Sequence, residues 1–435
     1  MHQLLELGST VQSASGQVCR VEEFLGGGGQ GEVYRSCVGD RILALKWYFP
    51  EQATPAQYEN LELLIRKGPP SLPFLWPIEL ASADNVPGFG YLMALREPRF
   101  KGLVDLMKRR TDPSFRALTT AGRHLAQAFL DLHTQGLCYR DIAFGNVFFD
   151  PDTGAIQVCD NDNVAIDSAM AAGVLGTPRF IAPEVVRGEA APSTDTDLFS
   201  LSVLLFYLFH IHHPLEGQRE AEIKCFDLPA MNRLYGSEPL FIFDPDDDSN
   251  RPVPGLHDNA LAYWPLYPQA LRELFIRAFT VGLYDTHERV RESEWRIVLA
   301  RLADAIFYCA QCGAENFFDV DALPRQSTYC WHCRQPLEPP LRLRLGRDQV
   351  VLNHDTHLFP HHLDTQRRYD FSEPLAAVQQ HPQHQHVWGL NNRSAASWQM
   401  TTSEGTTRAV EPGRSLTLAP GIKIDFGNLE GEIHR

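Results

Sequence analysis

The stretch Tyr139-Arg140-Asp141-Ile142-Ala143-Phe144-Gly145-Asn146 decides how this chain is interpreted. It follows the helix-like run at 125–132 and places a carboxylate and a carboxamide five residues apart. A polar, constrained segment between apolar ones is typical of a loop that a rigid scaffold holds in place. Alone, this pair of side chains is a weak signal. The segments before and after it supply the context that gives it meaning.

A cluster of glycines precedes this stretch, between strand-like runs at 18–25 and 33–38. The segment Gly26-Gly27-Gly28-Gly29-Gln30-Gly31-Glu32-Val33 fits the spacing G-x-G-x-x-G-x-V. Glycine allows the backbone to approach phosphate groups closely, so the pattern indicates a phosphate-binding loop. A dinucleotide fingerprint has similar spacing but needs a helix next, and here a strand-like run follows. A flexible turn without a ligand is the remaining alternative.

A lysine lies inside the next apolar strand-like run, 42–49, in the segment Leu43-Ala44-Leu45-Lys46. An unpaired ammonium group is costly to bury, so a buried Lys46 needs a partner. The alternative is a lysine that reaches the surface, as isolated lysines usually do. A helix is predicted at 58–66, and Pro55 suits its first turn.

Two acids end a later strand-like run, Ile156-Gln157-Val158-Cys159-Asp160-Asn161-Asp162. Magnesium takes few protein carboxylates and completes its shell with phosphates and water, so the segment suits a magnesium site. Asp160 is the predicted ligand, and Asp162 is either a second ligand or a capping acid. Asp and Asn are also common in turns that end strands, which is the alternative interpretation.

With these motifs in this order, the chain resembles the eukaryotic-like (Hanks-type) Ser/Thr protein kinases over residues 17–303. The segment Gly176-Thr177-Pro178-Arg179-Phe180-Ile181-Ala182-Pro183-Glu184 is similar to the family's peptide-docking segment. Asp197-Leu198-Phe199-Ser200 is similar to the start of its central buried helix. Arg289 stands where the family has an arginine that pairs with the acid matching Glu184. The resemblance implies an α+β fold of two lobes, a strand-rich lobe followed by a helical one.

The resemblance also implies transfer of the γ-phosphoryl group of ATP to hydroxyl groups of proteins. Asp141 would accept the hydroxyl proton, while Asn146 and Asp160 would hold magnesium. Lys46 would grip the α- and β-phosphates and pair with a helix glutamate, Glu62 as the first choice and Glu59 as the second. The implied nucleotide site is completed by Gly26, Gly28, Gly31, Val33, Ala44, Met93 as gatekeeper, Ala94 and Leu95.

Three positions depart from the family's pattern. Ala143 stands where Ser/Thr kinases usually carry a lysine, Asn161-Asp162 replaces the Phe-Gly of Asp-Phe-Gly, and Tyr139 replaces a histidine. None of these changes removes the four groups that the chemistry needs, so an active kinase is predicted. A catalytically weak or inactive ATP-binding scaffold and a small-molecule kinase are the alternatives. Ser168 is a candidate phosphorylation switch, with an unmodified exposed serine as the alternative.

Four cysteines form a small module after the kinase-like part. Cys309, Cys312, Cys330 and Cys333 give the spacing C-x2-C-x17-C-x2-C, which falls in the zinc-ribbon range. Four cysteines leave no open position for catalysis, so a structural zinc ion is predicted. A redox pair or two disulfides are the alternatives. His332 is expected to be a bystander.

The last part of the chain has short strand-like runs separated by turn residues, which predicts a separate all-β domain. Gly346-Arg347, a Pro-Gly turn at 412–413 and Phe426-Gly427 look similar to forkhead-associated β-sandwiches, which bind phosphothreonine. The family's Ser-Arg-x-His and Asn-Gly motifs are absent, and Asn391-Asn392 is the nearest approach to the second. A docking or self-regulating domain is therefore an equal alternative. Histidines crowd between 354 and 386, which indicates either a second metal site or exposed loop residues.

The 435 residues are divided, as a prediction, into a kinase N-lobe at 1–95, a C-lobe at 96–303, a zinc ribbon at 304–338 and a forkhead-associated-like domain at 339–435. The net charge of -15 argues against binding to nucleic acid or to an anionic membrane surface. A signal peptide is not recognisable, and scattered single cysteines suit a reducing cytoplasm. The combination of domains looks like bacterial kinases that work with a von Willebrand-type protein and a cognate phosphatase.

Overall fold

The structure is a computed structural model that describes residues 3–167, 176–319, 329–384 and 386–435. It divides into two units. The first comprises residues 1–264 and 273–296, and the second comprises residues 265–272 and 297–435. Ser168, the candidate phosphorylation switch, lies outside the described residues.

The first unit begins with a closed barrel of six strands in the order β1-β2-β3-β4-β6-β5. A hairpin closes over the glycine cluster, because β2 and β3 pair antiparallel on either side of it. The strands are β1 Thr10–Ser13, β2 Val18–Gly27, β3 Gly31–Val38, β4 Arg41–Tyr48, β5 Pro77–Ser82 and β6 Gly90–Ala94.

One helix, α1 Pro55–Lys67, follows β4. It begins where the sequence predicts, because the Thr54 side chain accepts a hydrogen bond from the Gln57 amide at 3.2 Å and Pro55 occupies the first turn. Leu61 and Leu64 are its buried residues, so this helix packs by one narrow apolar edge.

Helices dominate the rest of the first unit. The buried centre is α5 Thr194–His210, in which every residue from Leu198 to His210 is buried. The other helices are α2 Leu103–Met107, α3 Phe115–Thr134, α4 Pro183–Val186, α6 Gln218–Ala221, α7 Leu228–Asn232, α8 Asp258–Tyr263, α9 Gln269–Phe279, α10 Val281–Tyr284 and α11 Glu292–Asp304. Residues of α9 and α11 fall in both units.

Short strands position the loops between these helices. A three-stranded sheet has the order β10-β9-β7, and β11 pairs with β8. Their bounds are β7 Lys101–Gly102, β8 Leu137–Cys138, β9 Val147–Phe149, β10 Ile156–Val158 and β11 Ala165–Ile166. Because β8 leads into the stretch 139–146 and β9 leaves it, both ends of that loop are fixed by pairing.

The second unit begins with an antiparallel hairpin, β12 Ile306–Tyr308 and β13 Glu315–Phe317. Two further antiparallel sheets follow, with the orders β15-β14-β23-β22-β19-β20 and β16-β17-β18-β21. They share one apolar core that includes Leu343, Leu390, Trp398 and Ile424, so this part is a β-sandwich. Its elements are β14 Arg342–Leu345, β15 Asp348–Val351, β16 His357–Leu358, α12 Pro360–Leu363, β17 Ala376–Gln380, β18 Trp388–Asn392, β19 Trp398–Thr401, β20 Thr407–Val410, β21 Ser415–Thr417, β22 Lys423–Asp425 and β23 Glu430–His434.

Candidate active site

A cavity of about 680 Å³ in the first unit gathers nearly all of the predicted site residues. The glycine loop, Lys46 and the stretch 139–146 contribute to its lining. Its walls include the predicted Gly26, Gly28, Gly31, Val33, Ala44, Lys46, Met93, Ala94, Leu95, Asp141, Asn146 and Asp160. Of the residues predicted for the nucleotide and magnesium sites, Glu62, its alternative Glu59 and the possible second ligand Asp162 do not line it. A cavity of this size accommodates a small organic ligand.

The glycine loop contains two kinds of glycine. A Cβ atom at Gly31 would lie 2.1 Å from the Trp47 carbonyl oxygen, so the close approach of β3 to β4 requires glycine there. A Cβ atom at Gly28 or Gly29 would meet nothing within 4 Å, and neither residue has a positive φ. Protein packing therefore gives no reason for these two glycines, whereas a ligand lying under the loop would.

Lys46 is almost completely buried at the base of the cavity, with an exposed fraction of 3%. Its Nζ atom donates to Asp160 Oδ1 at 2.7 Å and to Asp162 Oδ1 and Oδ2 at 3.0 and 2.9 Å. It also donates to Gln30 Oε1 of the glycine loop at 3.1 Å. The prediction that a buried Lys46 needs a partner is thus met by two carboxylates, and the alternative of a surface lysine is wrong.

The prediction of a glutamate from α1 as the partner of Lys46 is corrected. Glu62 and Glu59 are both exposed, and the Lys46 ammonium group is fully engaged by Asp160, Asp162 and Gln30. The face of α1 that contacts the loop containing Asp160 and Asp162 carries amide side chains instead of carboxylates. Gln57 Nε2 and Asn60 Nδ2 donate to the backbone oxygen of Asp162 at 3.0 and 3.1 Å.

The charges around Lys46 shift the pKa values of this cluster. Burial lowers the pKa of Lys46, but the charges of Asp162 and Asp160 outweigh burial and leave that pKa above its ordinary value. Burial raises the pKa of Asp160, and Lys46 opposes this rise while Asp162 and Asp141 add to it. Three carboxylates against one ammonium group leave an excess of negative charge, which a divalent cation would neutralise.

Asp141 and Asn146 lie together at the other side of the cavity. Asn146 Nδ2 donates to the Asp141 backbone oxygen at 2.8 Å and to its Oδ2 at 3.3 Å. Thr177 Oγ1, from the segment that resembles a peptide-docking loop, donates to Asp141 Oδ1 at 2.7 Å. The Asp141 carboxylate is therefore oriented by a group on each side and faces the cavity that also contains Asp160.

Asp197 fixes the loop that carries Asp141. Its carboxylate accepts hydrogen bonds from the backbone amides of Tyr139 and Arg140, the latter at 2.9 Å. His133 of α3 contacts Asp197 at 3.2 Å and Glu292 of α11 through its other ring nitrogen. Burial lowers the pKa of His133, but the hydrogen bonds to the two carboxylates outweigh burial and raise it to about 9. A buried imidazolium ion therefore links the loop to two helices.

A second buried ion pair anchors Glu184, the last residue of the segment that resembles a peptide-docking loop. Arg289 NH2 lies 2.8 Å from Glu184 Oε2, and Arg289 NH1 donates to the Asp195 backbone oxygen at 2.7 Å. The pairing of Arg289 with Glu184 expected from the resemblance is confirmed. Hydrogen bonds of this kind help to offset the cost of removing a charge pair from water.

The opposite end of the cavity is apolar. Val33 and Ala44 line one side, and the β6 residues Met93 and Ala94 with Leu95 line the back. Met93 and Ala44 also belong to one buried apolar cluster, so this wall is firmly packed. The lining at this end therefore suits a flat, mostly apolar group.

The four cysteines of the second unit converge. Their sulfur atoms all lie within 4.8 Å of one another, with Cys309–Cys333 at 3.7 Å and Cys312–Cys330 at 3.8 Å. Cys309 and Cys312 lie in the turn of the β12–β13 hairpin, and all four thiols are free of disulfides. Burial tends to raise the pKa of Cys330, but the Cys333 and His332 amides with the Asn316 side chain outweigh it and lower that pKa to about 6.

Among the described residues of the second unit, the ligand atoms of Asp304, His361 and His362 also lie close together. His362 Nδ1 accepts a hydrogen bond from the Phe359 amide at 2.9 Å, so its Nε2 carries the hydrogen that faces Asp304 at 3.2 Å. A metal at Nε2 would require the other tautomer. This group is therefore better described as a hydrogen-bonded cap on α12.

Several residues around Lys46 were not assigned from the sequence, namely Tyr48, Gln57, Asn60 and the carboxylate of Asp162 as its buried partner. The Tyr48 hydroxyl donates to Asp162 Oδ2, and that carboxylate is fully buried. One signal was available: Gln57 and Asn60 are three residues apart and therefore share a helix face, whereas Glu59 lies off that face. His133 and Glu292 gave no signal, since only the fold brings them together.

Part of the chain that forms this cavity is similar in sequence to known protein kinases. Residues 79–256 match the family model of the protein kinase domain. The chain is 30% identical over 208 residues to the Ser/Thr-protein kinase PknK of Mycobacterium bovis and 27% identical over 210 residues to the DNA damage-responsive Ser/Thr-protein kinase RqkA of Deinococcus radiodurans. It is 32% identical over 136 residues to the cell cycle Ser/Thr-protein kinase CDC5/MSD2 of Saccharomyces cerevisiae.

The aligned segments cover 45%, 46% and 29% of this chain, in that order. They span only 18%, 31% and 19% of the lengths of those relatives. The similarity is thus to the kinase part of larger or differently built proteins. No helix among the described residues is both long and apolar enough to cross a membrane.

Proposed function

We propose that this protein is a Ser/Thr protein kinase of bacterial signalling that transfers the γ-phosphoryl group of ATP to hydroxyl groups of proteins. The observation that carries the proposal is the convergence of Lys46, Asp141, Asn146 and Asp160 on one cavity beneath the glycine loop. The match to the protein kinase domain and the bacterial Ser/Thr kinase relatives support the same reaction.

The cavity offers a distinct place for each part of the nucleotide. Adenine fits the apolar end between Ala44 and Met93, next to Leu95. The phosphates fit below Gly28 and Gly29, where the loop leaves open space, and in reach of Lys46. Positioning of this kind supplies most of the catalysis in phosphoryl transfer, because the protein does little covalent chemistry.

Asn146 and Asp160 are the proposed magnesium ligands. Both present oxygen atoms to the cavity, and magnesium prefers a few such ligands together with phosphate oxygens and water. Asp160 fits this role better than Asp162, because the Asp160 side chain is 35% exposed while that of Asp162 is 0% exposed. Magnesium bound there would neutralise the negative charge that Asp160 and Asp141 concentrate.

Asp141 is the proposed acceptor of the proton from the substrate hydroxyl. It faces the cavity, and Asn146 and Thr177 hold its carboxylate in one orientation. Ala143 leaves the place of the usual lysine without a charge. The excess negative charge at the site therefore depends on Lys46 and on magnesium for its neutralisation.

Activity tests separate the kinase from the alternatives. The purified chain with magnesium and labelled ATP should phosphorylate itself or a generic protein substrate, and Asp141→Asn should remove that activity by a factor of about 10²–10⁴. ATP binding should survive the substitution. Wild-type inactivity with intact magnesium–ATP binding would identify an ATP-binding scaffold, and a strong preference for small acceptors would identify a small-molecule kinase.

A structural zinc ion is proposed for the four cysteines. In a tetrahedral site with zinc–sulfur bonds of about 2.3 Å, neighbouring sulfurs lie about 3.8 Å apart. The separations of 3.7 and 3.8 Å suit that geometry, whereas a disulfide needs about 2.0 Å. Because such a short module buries little core, the metal would supply much of its folding energy.

Metal analysis tests the zinc proposal. The purified chain should contain one zinc ion, and Cys330→Ser should lose it. Cys225→Ser is the matched control, because Cys225 is exposed and lies outside the cluster. A metal-free wild-type chain with disulfides detected by mass spectrometry would contradict the proposal.

The β-sandwich is proposed to be similar to forkhead-associated domains, which bind phosphothreonine. The two antiparallel sheets around one core support that architecture, and Gly346-Arg347 lies in the turn between β14 and β15. Asn391 Nδ2 donates to the Gly413 oxygen at 3.1 Å, so this side chain braces a neighbouring loop.

Protein substrates are the proposed partners of the chain, with a von Willebrand-type protein and a cognate phosphatase. Co-purification of tagged chain from cells, with and without the β-sandwich residues, tests them.

A further inference from the structure

We propose that Asp162 is the positioning residue that holds Lys46 for phosphate binding, and that α1 contributes no charge to the site. The inference rests on the proposed kinase function and concerns how this chain orients its phosphate-binding lysine. The carboxylate comes from the same loop that presents Asp160 to the cavity, two residues away in the chain.

The two carboxylates on Lys46 have different environments. Asp160 lines the cavity and is partly exposed, while Asp162 does not line it and its side chain is completely buried. Magnesium can therefore reach Asp160 without reaching Asp162. Asp162 contacts Nζ through both of its oxygens, at 2.9 and 3.0 Å, so Lys46 would keep this partner if Asp160 bound a magnesium ion. The Nζ hydrogen released by Asp160 would then be free for a phosphate oxygen, while Asp162 remained the buried partner of Lys46.

The surroundings of Asp162 hold it in this position. The Tyr48 hydroxyl donates to Oδ2, and Gln57 Nε2 reaches both the Tyr48 oxygen and the Asp162 backbone oxygen at 3.0 Å. Asn60 Nδ2 donates to the backbone oxygens of Asp162 and Val164 at 3.1 and 3.0 Å. A buried carboxylate is stable only with such a complete set of partners.

The helix α1 therefore acts through neutral amides. Gln57 and Asn60 bind the backbone oxygen of Asp162, whereas Glu59 and Glu62 are exposed and Lys46 is buried. Lys46 on β4 and Asp162 in the loop form the ion pair without the helix. A displacement of α1 would loosen the loop backbone but would not remove the carboxylate partner of Lys46.

The primary test measures the reactivity of Lys46, which does not depend on kinase activity. The full chain is treated with a limiting amine-acylating reagent, and modification of Lys46 is followed by mass spectrometry in the wild type, Asp162→Asn and Glu62→Gln. In Asp162→Asn the Nζ atom loses its charged contacts at 2.9 and 3.0 Å, so Lys46 should be held less firmly and its labelling rate should rise about tenfold or more. Glu62→Gln should label like the wild type.

The same variants are then compared in kinase assays. Asp162→Asn should raise the KM for ATP about tenfold or more while Glu62→Gln leaves both kcat and KM unchanged. Wild-type inactivity would sink the proposed kinase function, but the labelling result would still decide the role of Asp162. The inference is overturned if Asp162→Asn labels like the wild type, or if Glu62→Gln reproduces the effects expected of Asp162→Asn. Glu62 is exposed, so that variant remains informative even where Asp162→Asn does not fold.

Discussion

The two sides of the cavity are held by buried charge in different ways. On the side of Asp141, a carboxylate in the core, Asp197, binds the backbone of the loop, and a protonated His133 connects it to Glu292. On the side of Lys46, the functional group itself belongs to the buried ion pair with Asp162. On the Asp141 side, the residues that hold the loop are different from the residue proposed to act in catalysis. On the Lys46 side, the same residue stabilises the fold and is proposed to bind phosphate. Substitutions should therefore affect stability and activity separately on one side and together on the other.

Lys46→Met should produce the largest combined effect. It removes the phosphate contact and leaves Asp162 buried without its counter-charge, and breaking a buried pair from one side costs roughly 3–5 kcal/mol. Denaturant unfolding should show that loss together with loss of ATP binding. The double variant with Asp162→Asn should recover much of the stability but none of the binding. Full stability of Lys46→Met alone would show that the pair is not an important support.

His133→Gln should affect stability with a distinct dependence on pH. The pKa of His133 is raised from 6.5 to about 9 in the folded chain, so its contribution is complete below about pH 6.5 and is lost as the pH rises through 9. At about 1.4 kcal/mol for each pKa unit, the wild type should lose about 3 kcal/mol over this interval.

Pulse proteolysis in urea, at pH values on either side of this interval, measures that change. The Gln variant should be less stable at the lower pH and should lack most of the wild type's decline toward the higher pH. The KM for ATP should stay near the wild-type value, because His133 touches neither the cavity nor Lys46. Equal pH dependence in the two proteins would contradict a protonated His133.

Substitutions of two glycines in the glycine loop, Gly31 and Gly28, should have the smallest effects and should differ from each other. Gly31→Ala places a Cβ atom 2.1 Å from the Trp47 oxygen and should cost roughly 1–3 kcal/mol of stability. Gly28→Ala meets no atom within 4 Å, so stability should be unchanged while the affinity for ATP falls. Thermal unfolding and equilibrium nucleotide binding distinguish the two effects. Equal behaviour of both variants would remove the distinction between a packing glycine and a ligand-facing glycine.

The same contrast marks what the sequence could predict. Asp141, Asn146 and the glycine loop were assigned to one site from their spacing together with the family resemblance, and all of them line the cavity. The helix predicted at 58–66 corresponds to α1, and the central buried helix implied by the resemblance at Asp197 corresponds to α5. The pairing of Arg289 with Glu184 was found across a long separation because the resemblance supplied both positions.

The partner of Lys46 was not found, because spacing does not say which side of α1 faces the cavity. Glu62 carries the expected charge, but the register of the helix turns Gln57 and Asn60 toward the loop instead. The carboxylate that pairs with Lys46 lies in the proposed metal-binding segment, where the sequence indicated Asp162 only as a second ligand or a capping acid. Burial and hydrogen bonding assign it, and neither can be derived from one sequence. The contact between His133 and Glu292 could not be predicted from the sequence for the same reason.

A crystal structure of the full chain with magnesium and a non-hydrolysable ATP analogue tests the central claim most directly. We predict adenine between Ala44 and Met93, the metal on Asn146 and Asp160, and the terminal phosphate facing the Asp141 carboxylate. Lys46 should contact the phosphates and still bind Asp162. A cavity that stays empty at saturating nucleotide, or a nucleotide whose terminal phosphate points away from Asp141, would contradict the account.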